Sequence, residues 1–549
     1  MNTSKKILVT CALPYSNGSI HLGHILEHVQ ADIWVRHKKM IGEKVFFVCA
    51  DDSHGTPIML KSKKLGISPE KLINETNKEH YNDLKDFSIN YDNYYTTHSK
   101  ENKETLEDFY KKLKNNGYIK KKVIFQMYDE KEKIFLPDRF IKGTCPKCKS
   151  KNQNGDNCET CGSIHNSTEL IDPFSTISKN FLIKKKTEHI FFDLPKFKEI
   201  LKNWIKSLTI KTNILNKVKE WIKIGLKELD ISRDHPYFGF KIPNEKNKYF
   251  YVWIDATIGY IGTVKNLEKK RKIKLMNFWE KNSTSEVFHF IGKDIVQFHI
   301  FLWPSLLEGV GYKKPKDIFV HGHVTINKKK MSKSGKNFIL ARSYLNFLNS
   351  EYLRYYYATK LSSKSEDIDI NLKDLLYRVN GEIINKVINL ASRNAKFINK
   401  YFLNFLSAKI SDDNIYNRFL KEKEKIIHKF HNREYQSITK KIMFLADMAN
   451  FYINKKSPWK LIKENKRRRE VHEICSTGIN LFKVLMTYLK PITPKTAIRS
   501  EIFLNTSLNF RDISKPLVNH KIKNFKCLLK KVSKKKLFLL HKETMLIKK

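Results

Sequence analysis

The sequence predicts an α/β protein: a parallel-sheet domain split by an insertion and followed by an all-helical region. Three observations carry this. Short apolar runs, each followed by a polar turn, occur at the start of the chain and again near residue 290. A Lys-rich stretch with four clustered cysteines lies between them. Beyond about residue 380 the apolar residues fall at helical spacing nearly to the end.

The elements follow in order. Residues 6–13 form an apolar run ending at Pro14, which reads as a buried strand. Lys5, Lys6 and this run faintly imitate a signal peptide, but Pro14, Asn17 and His21 follow at once. A turn at 16–19 leads into Ile25, Leu26, Val29, Ile33 and Trp34, spaced for one face of a helix. Residues 45–50 are a second strand, ending in Asp51 and Asp52; 287–291 and 317–320 are two more. Strand–helix alternation predicts a parallel sheet whose ligands sit at the strands' carboxyl ends. Residues 115–234 read as an insertion between two halves of that sheet. Ile384, Val387, Ile388 and Ala391 open the helical region, and the Lys-heavy 528–549 reads as a tail helix.

Composition narrows the class. Hydrophobic residues make up 41% and charged residues 29%, which excludes wholesale disorder and collagen-like structure. No apolar run reaches the ~18–20 residues of a membrane helix. Lys+Arg number 104 against 56 Asp+Glu, a formal charge of +48. That excess favours an anionic partner, nucleic acid first, although many lysines on solvated faces would give the same count. Four of the eight cysteines cluster, which is no disulfide framework for this length and points to a reducing, cytoplasmic compartment.

Three motifs carry chemistry. Tyr15-Ser16-Asn17-Gly18 precedes His21-Leu22-Gly23-His24, which lies after a strand and opens a helix. Helix N-terminal N–H groups bind anions, and the histidines add donors for phosphate oxygens. Lys330-Met331-Ser332-Lys333-Ser334-Gly335-Lys336 brings cations to a loop, as transfer of a phosphoryl or nucleotidyl group requires. Cys145-Pro146-Lys147-Cys148 and Cys158-Glu159-Thr160-Cys161 offer four thiolates from two tight turns, a closed tetrahedral zinc site of structural type.

The first two motifs together resemble the HIGH and KMSKS signatures of class I aminoacyl-tRNA synthetases. Ala50-Asp51-Asp52-Ser53-His54-Gly55, Phe250-Tyr251-Val252-Trp253-Ile254-Asp255, Phe290-Ile291-Gly292-Lys293-Asp294 and Asn389-Leu390-Ala391-Ser392-Arg393-Asn394 make the chain similar to the bacterial, zinc-knuckle type of methionyl-tRNA synthetase over nearly its whole length. The resemblance implies a Rossmann-like catalytic domain at 1–114 and 235–325 and a connective insertion with the knuckle at 115–234. It implies a KMSKS loop and stem-contact region at 326–380 and an α-helical anticodon-binding domain at 381–549.

It also implies residue roles. His21, His24, Lys330 and Lys333 would be catalytic. Leu13, Tyr15, Asp52, Trp253, Ala256, Tyr260, Ile295 and His299 would hold L-methionine, with Asp52 on the ammonium. ATP, with Mg²⁺, would meet Tyr15, Asn17, Gly18, His21, Gly23, His24, Gly292, Asp294, His321, Val324, Lys330 and Lys333. Asn389, Arg393, Pro458 and Trp459 would read the anticodon of tRNA(Met). Cys145, Cys148, Cys158 and Cys161 would hold one structural Zn²⁺ per subunit. Thr257, where the family often has Pro, Gln297, where Tyr is common, and Lys328–Lys329 depart from the pattern. Many bacterial relatives carry a further C-terminal module that makes the dimer, and no β-rich stretch of that kind follows the helical region, so the resemblance implies a monomer; the lack of a long apolar run predicts no membrane partner. Other readings stay open at this stage: a synthetase for leucine, isoleucine or valine, which carries a much larger insertion; a small HxGH adenylyltransferase; and a non-catalytic tRNA-binding relative.

Overall fold

A computed structural model describes residues 6–547, apart from 164, 327 and 332–337. Five parallel strands make the central sheet, in the order Asp317–His321, Glu286–Gly292, Lys6–Cys11, Lys44–Asp51 and Asn93–Thr96. The strand Lys6–Cys11 therefore lies between one partner from the first half of the chain and one from beyond the insertion. Its side chains alternate between two cores: Ile7, Val9 and Cys11 enter one, Leu8 the other. Burial on both faces is why these strands read as unbroken apolar runs. The edge strand Asn93–Thr96 is short and only partly buried, and its Asn-Tyr-Tyr-Thr sequence shows no such run.

Helices cover both faces. Leu22–Met40 packs Trp34 against Phe288, Phe290 and Phe319, while Val252–Arg271 packs on the other side with Ile254, Ile258 and Ile261. Between the halves, Ile119–Asp129 pairs antiparallel with Ile183–Phe192 along ten registered positions. A small sheet of Gln153–Asn154, Ile141–Thr144 and Ile171–Ser175 accompanies the cysteine turns. The helices Lys198–Lys206 and Thr212–Ile224 share a core with the central sheet through Leu201, Trp204 and Val218.

The C-terminal region is a helical bundle whose longest members are Tyr435–Lys456 and Arg468–Leu489. Buried Arg354 ties it to the sheet domain. The guanidinium donates to Asp32 Oδ2 at 2.6 Å, to the Ile492 carbonyl at 2.9 Å and to the Pro491 carbonyl at 3.0 Å. The pattern predicts helix nearly to the end, but residues 505–533 run without helix before the final helix Lys534–Ile547. Asn505 and Asn519 adopt left-handed backbone there, and Pro516 cannot donate to a helix. Among the described residues no helix is long and apolar enough to cross a membrane.

Candidate active site

Two cavities meet at the carboxyl ends of the central strands. The larger, about 860 Å³, is lined by Leu13, Tyr15, Asp52, Trp253, Ala256, Tyr260, Ile295 and His299, all eight residues expected around methionine. The smaller, about 310 Å³, is lined by His21, Gly23, His24, Gly292, Asp294, His321 and Val324. Ala12, Leu13 and Ile295 belong to both walls, so one ligand can span the two. Asn17 and Gly18 line neither; their turn is pinned by Lys61 Nζ on the Asn17 carbonyl (2.8 Å) and by His80 Nε2 against the Gly18 carbonyl (3.1 Å).

The smaller cavity is built on a helix cap. His21 caps Leu22–Met40: its Nδ1 accepts from the Gly23 N–H, and His24 Nδ1 accepts from the His21 N–H, both at 3.1 Å. A ring that accepts at Nδ1 and is neutral keeps its proton on Nε2, so both rings present Nε2–H as a donor. The rings stack with centroids 3.8 Å apart. A Cβ at Gly23 would lie 2.8 Å from His21 Cε1, so a larger residue there would displace the capping ring. The other signature flanks the same cap. Lys330 pairs through its backbone with Thr325, and the Met331 N–H donates to the Val324 carbonyl at 3.0 Å. Beyond the loop, Ile339 accepts from the Leu22 N–H at 3.0 Å. Lys333 lies outside the described residues.

In the larger cavity, Asp52 is the dominant polar group. It is held beside Tyr15 by a parallel bridge. Burial, then the charge of Asp255, push its carboxyl well above the usual range. Oδ1 is buried with no hydrogen-bond partner. A buried acid in this state suits a cationic ligand, which supplies the missing charge. His299 is fixed by its neighbours: Nδ1 lies 3.0 Å from the Ile295 carbonyl, and Nε2 2.7 Å from the Tyr260 hydroxyl. Its Nδ1–H therefore donates and Nε2 accepts from tyrosine; burial holds its pKa down to about 4, so the ring is neutral. Trp253 stacks on Phe298 at 3.7 Å between centroids. Thr257 lines the cavity, but its hydroxyl bonds back to the Trp253 carbonyl at 3.0 Å, so it adds no spare donor. Gln297 is exposed and lines neither cavity.

Sequence reasoning missed two contributors. Phe298, the platform under Trp253, is an ordinary aromatic in an apolar stretch and gives no signal by itself. Glu27 lies one turn beyond His24; its Oε1 accepts from the Ala12 N–H (2.6 Å) and its Oε2 faces His321 Nε2 (3.1 Å). Its spacing from the HLGH motif was the available signal.

The four cysteines converge. Their sulfurs lie within 4.8 Å of one another, with Cys145–Cys161 at 3.9 Å and Cys148–Cys158 at 3.5 Å. Tetrahedral Zn–S bonds of about 2.3 Å place sulfurs about 3.8 Å apart, so the set fits zinc. The turns are equivalent: the Cys145 N–H donates to the Ser150 carbonyl and the Cys158 N–H to the Ser163 carbonyl, both at 2.9 Å. Backbone N–H groups, first that of Cys148, hold the Cys145 thiol down to about 5 and so favour the thiolate that a metal needs, whereas burial pushes the Cys158 thiol up to about 11.

In the helical bundle, Arg393 stands over the Trp459 ring at 5.0 Å and donates to Asn454 Oδ1 at 3.0 Å. Asn389, one turn earlier, and Trp459 are exposed, while Pro458 is buried and opens the short helix Pro458–Leu461.

A sequence model of the family described as tRNA synthetases class I (M) matches residues 7–395, well over half of the chain. The chain belongs to this family. Solved structures of the Mycobacterium tuberculosis methionyl-tRNA synthetase share its fold. One, in complex with methionyl-adenylate, is 19% identical, with a TM-score of 0.78 over 95% of this chain and 99% of that one. Another, bound by methionyl-adenylate, is 18% identical, with a TM-score of 0.79 over 96% and 100%. The apo form is 17% identical, with a TM-score of 0.72 over 97% and 99%. Within this class I synthetase fold, both cavities open where the strands end.

Proposed function

We propose that the protein is a methionine–tRNA ligase that charges both initiator and elongator tRNA(Met). The observation that carries this reading is the pair of adjoining cavities, one aromatic with a buried carboxylate, the other built on the HLGH helix cap. The similar Mycobacterium tuberculosis enzyme binds methionyl-adenylate, a ligand whose two parts match these two cavities in chemistry.

The methionine ammonium pairs with Asp52, and the thioether rests among Trp253, Tyr260 and His299, where aromatic faces suit a soft sulfur. The methionine carboxylate oxygen attacks the α-phosphorus of ATP. The bond between the α-phosphorus and its bridging oxygen breaks, and pyrophosphate leaves. Catalysis is positioning and charge stabilisation. Nε2–H of His21 and His24 donates to phosphate oxygens on one side, and Lys330 and Lys333 approach from the other. Bound with ATP, Mg²⁺ would neutralise phosphate charge. Gly292 and Asp294 take the ribose; His321 and Val324 border adenine. A terminal ribose hydroxyl of the tRNA then attacks the methionyl carbonyl and AMP departs. Asn389, Arg393, Pro458 and Trp459 read the anticodon, and one Zn²⁺ held by the four cysteines stabilises the insertion.

In this reading 1–114 with 235–325 is the catalytic domain, 115–234 the insertion, 326–380 the signature-loop and stem-contact region and 381–549 the anticodon domain. The protein works in the cytoplasm as a monomer, since a charge of +48 opposes self-association. Pyrophosphate exchange into ATP, run with each amino acid in turn, tests the assignment. Exchange with methionine alone is expected; exchange driven by another amino acid, or none, refutes it.

A further inference from the structure

The geometry points to a second cation site, for a thiophilic divalent metal such as Zn²⁺ or Cd²⁺, formed by Cys11, Glu27 and His28 beneath the smaller cavity. These residues come from the end of the strand Lys6–Cys11 and from the middle of the helix Leu22–Met40. All three are buried, and one ligand atom of each lies within 4.8 Å of the others.

The donor set is chemically selective. One thiol, one imidazole and one carboxylate are the ligands that zinc takes in open, three-residue sites, whereas calcium and magnesium require oxygen. Tetrahedral bonds of about 2.0–2.3 Å need donor separations of about 3.3–3.5 Å, inside the limit within which these three ligand atoms lie. The Tyr91 hydroxyl, bonded to His28 Nδ1, offers a fourth donor. Cys49 lies on the next strand, one residue beyond the Thr10–Val48 pair, but its thiol is directed to the carbonyls of Cys11 and Ala12 at 3.9 and 3.8 Å. Binding exchanges the Cys11 S–H proton for a metal–sulfur bond; the proton leaves to solvent and no redox change occurs.

Glu27 and His28 line the smaller cavity, which gives the ion an entry path. The same placement couples the site to the nucleotide. A metal on Glu27 takes the carboxylate that faces His321, and it occupies the cavity floor. This coupling rests on the nucleotide reading above; the metal site itself does not.

The test uses the full chain with its cysteine cluster loaded with zinc. Cd²⁺ is added, and bound metal is counted by elemental analysis after dialysis, alongside the ultraviolet sulfur-to-cadmium absorption. One equivalent beyond the loaded cluster is expected. Cys11→Ala should lose it while keeping the cluster zinc and the native circular dichroism; His28→Gln, which keeps a polar side chain, should lose it as well. Saturating ATP, added as its Mg²⁺ complex with Mg²⁺ in excess so that it does not simply chelate the Cd²⁺, should block it. No extra equivalent, or one that survives both substitutions, overturns the site; one lost only in Cys49→Ala overturns the ligand set. Binding that depends on Cys11 but ignores ATP leaves the metal site standing and refutes the nucleotide role of the cavity.

Discussion

Asp52→Asn removes one ionisable group from the larger cavity and hardly changes its shape. Two measurements should move in opposite directions. The substituted amide cannot pair ionically with the methionine ammonium. A hydrogen bond to a charged group is worth about 1.5–3 kcal/mol, so the KM for methionine in pyrophosphate exchange should rise about 10- to 150-fold. Stability should move the other way. Burial and the neighbouring Asp255 push the Asp52 carboxyl up, so the native state holds this proton more tightly than the unfolded chain does. Stability conferred by that group is fully present below the unfolded value of about 3.9. It is lost as pH climbs through the raised folded pKa, and above that point the buried charge costs stability. Asn carries no such cost. The variant should therefore melt higher than the parent at pH 7, and the gap should close near pH 4. Methionine binding in the parent should also tighten as pH rises through the same window, since the ammonium needs the carboxylate; the variant should lose that dependence. A KM within twofold of the parent, or a lower melting temperature at pH 7, would refute the reasoning.

Lys333→Ala should slow pyrophosphate exchange on the order of 10²–10³-fold with little change in methionine binding, by analogy with the loss of one oxyanion donor; an unchanged rate removes the loop from the chemistry. Elemental analysis should find one zinc per chain, and Ser at Cys145, Cys148, Cys158 or Cys161 should lower it; a content of one in all four variants rules the cluster out. Trp459→Ala removes an exposed ring stacked with Arg393, so the tRNA-dependent part of charging should weaken about 5- to 150-fold, the worth of one stacked base. Pyrophosphate exchange should be spared, and equal damage to both assays would assign the ring to folding. Light scattering at low micromolar concentration should give a mass near 64.9 kDa; twice that value overturns the monomer.

How legible the molecule was depended on burial. The strands Lys6–Cys11, Lys44–Asp51, Glu286–Gly292 and Asp317–His321 are covered on both faces, so composition alone exposes them. The insertion hairpin is different: Ile119–Asp129 opens on three consecutive lysines, lies largely on an open surface and finds its partner more than fifty residues later. Nothing local encodes that pairing. The HLGH cap was legible because anion binding at a helix start is local chemistry. The methionine pocket was legible only through resemblance, since Tyr260 or Trp253 alone is indistinguishable from core. Phe298 and Glu27 stayed hidden because their roles exist only as contacts with residues distant in sequence. The unwound stretch at 505–533 was misread as helix because its apolar residues, Leu508, Phe510 and Ile513, are anchors for a strap across the bundle and keep no fixed period.

The place of Lys6–Cys11 in the sheet also sets a timetable for synthesis. Its partner on one side, Lys44–Asp51, follows within forty residues, but Glu286–Gly292 on the other side is paired to it from across the insertion. At about 5–20 residues per second, a ribosome needs roughly 15–55 s to deliver that second neighbour. Until then the first strands to emerge carry an unpaired edge of Ile7, Leu8 and Val9, an invitation to association with other nascent chains. The insertion is complete in the interval, and its hairpin ends, Ile119 and Phe192, stand in register. Closed in this way, the insertion shortens the loop whose ends must meet, which lowers the entropy cost of joining the two halves.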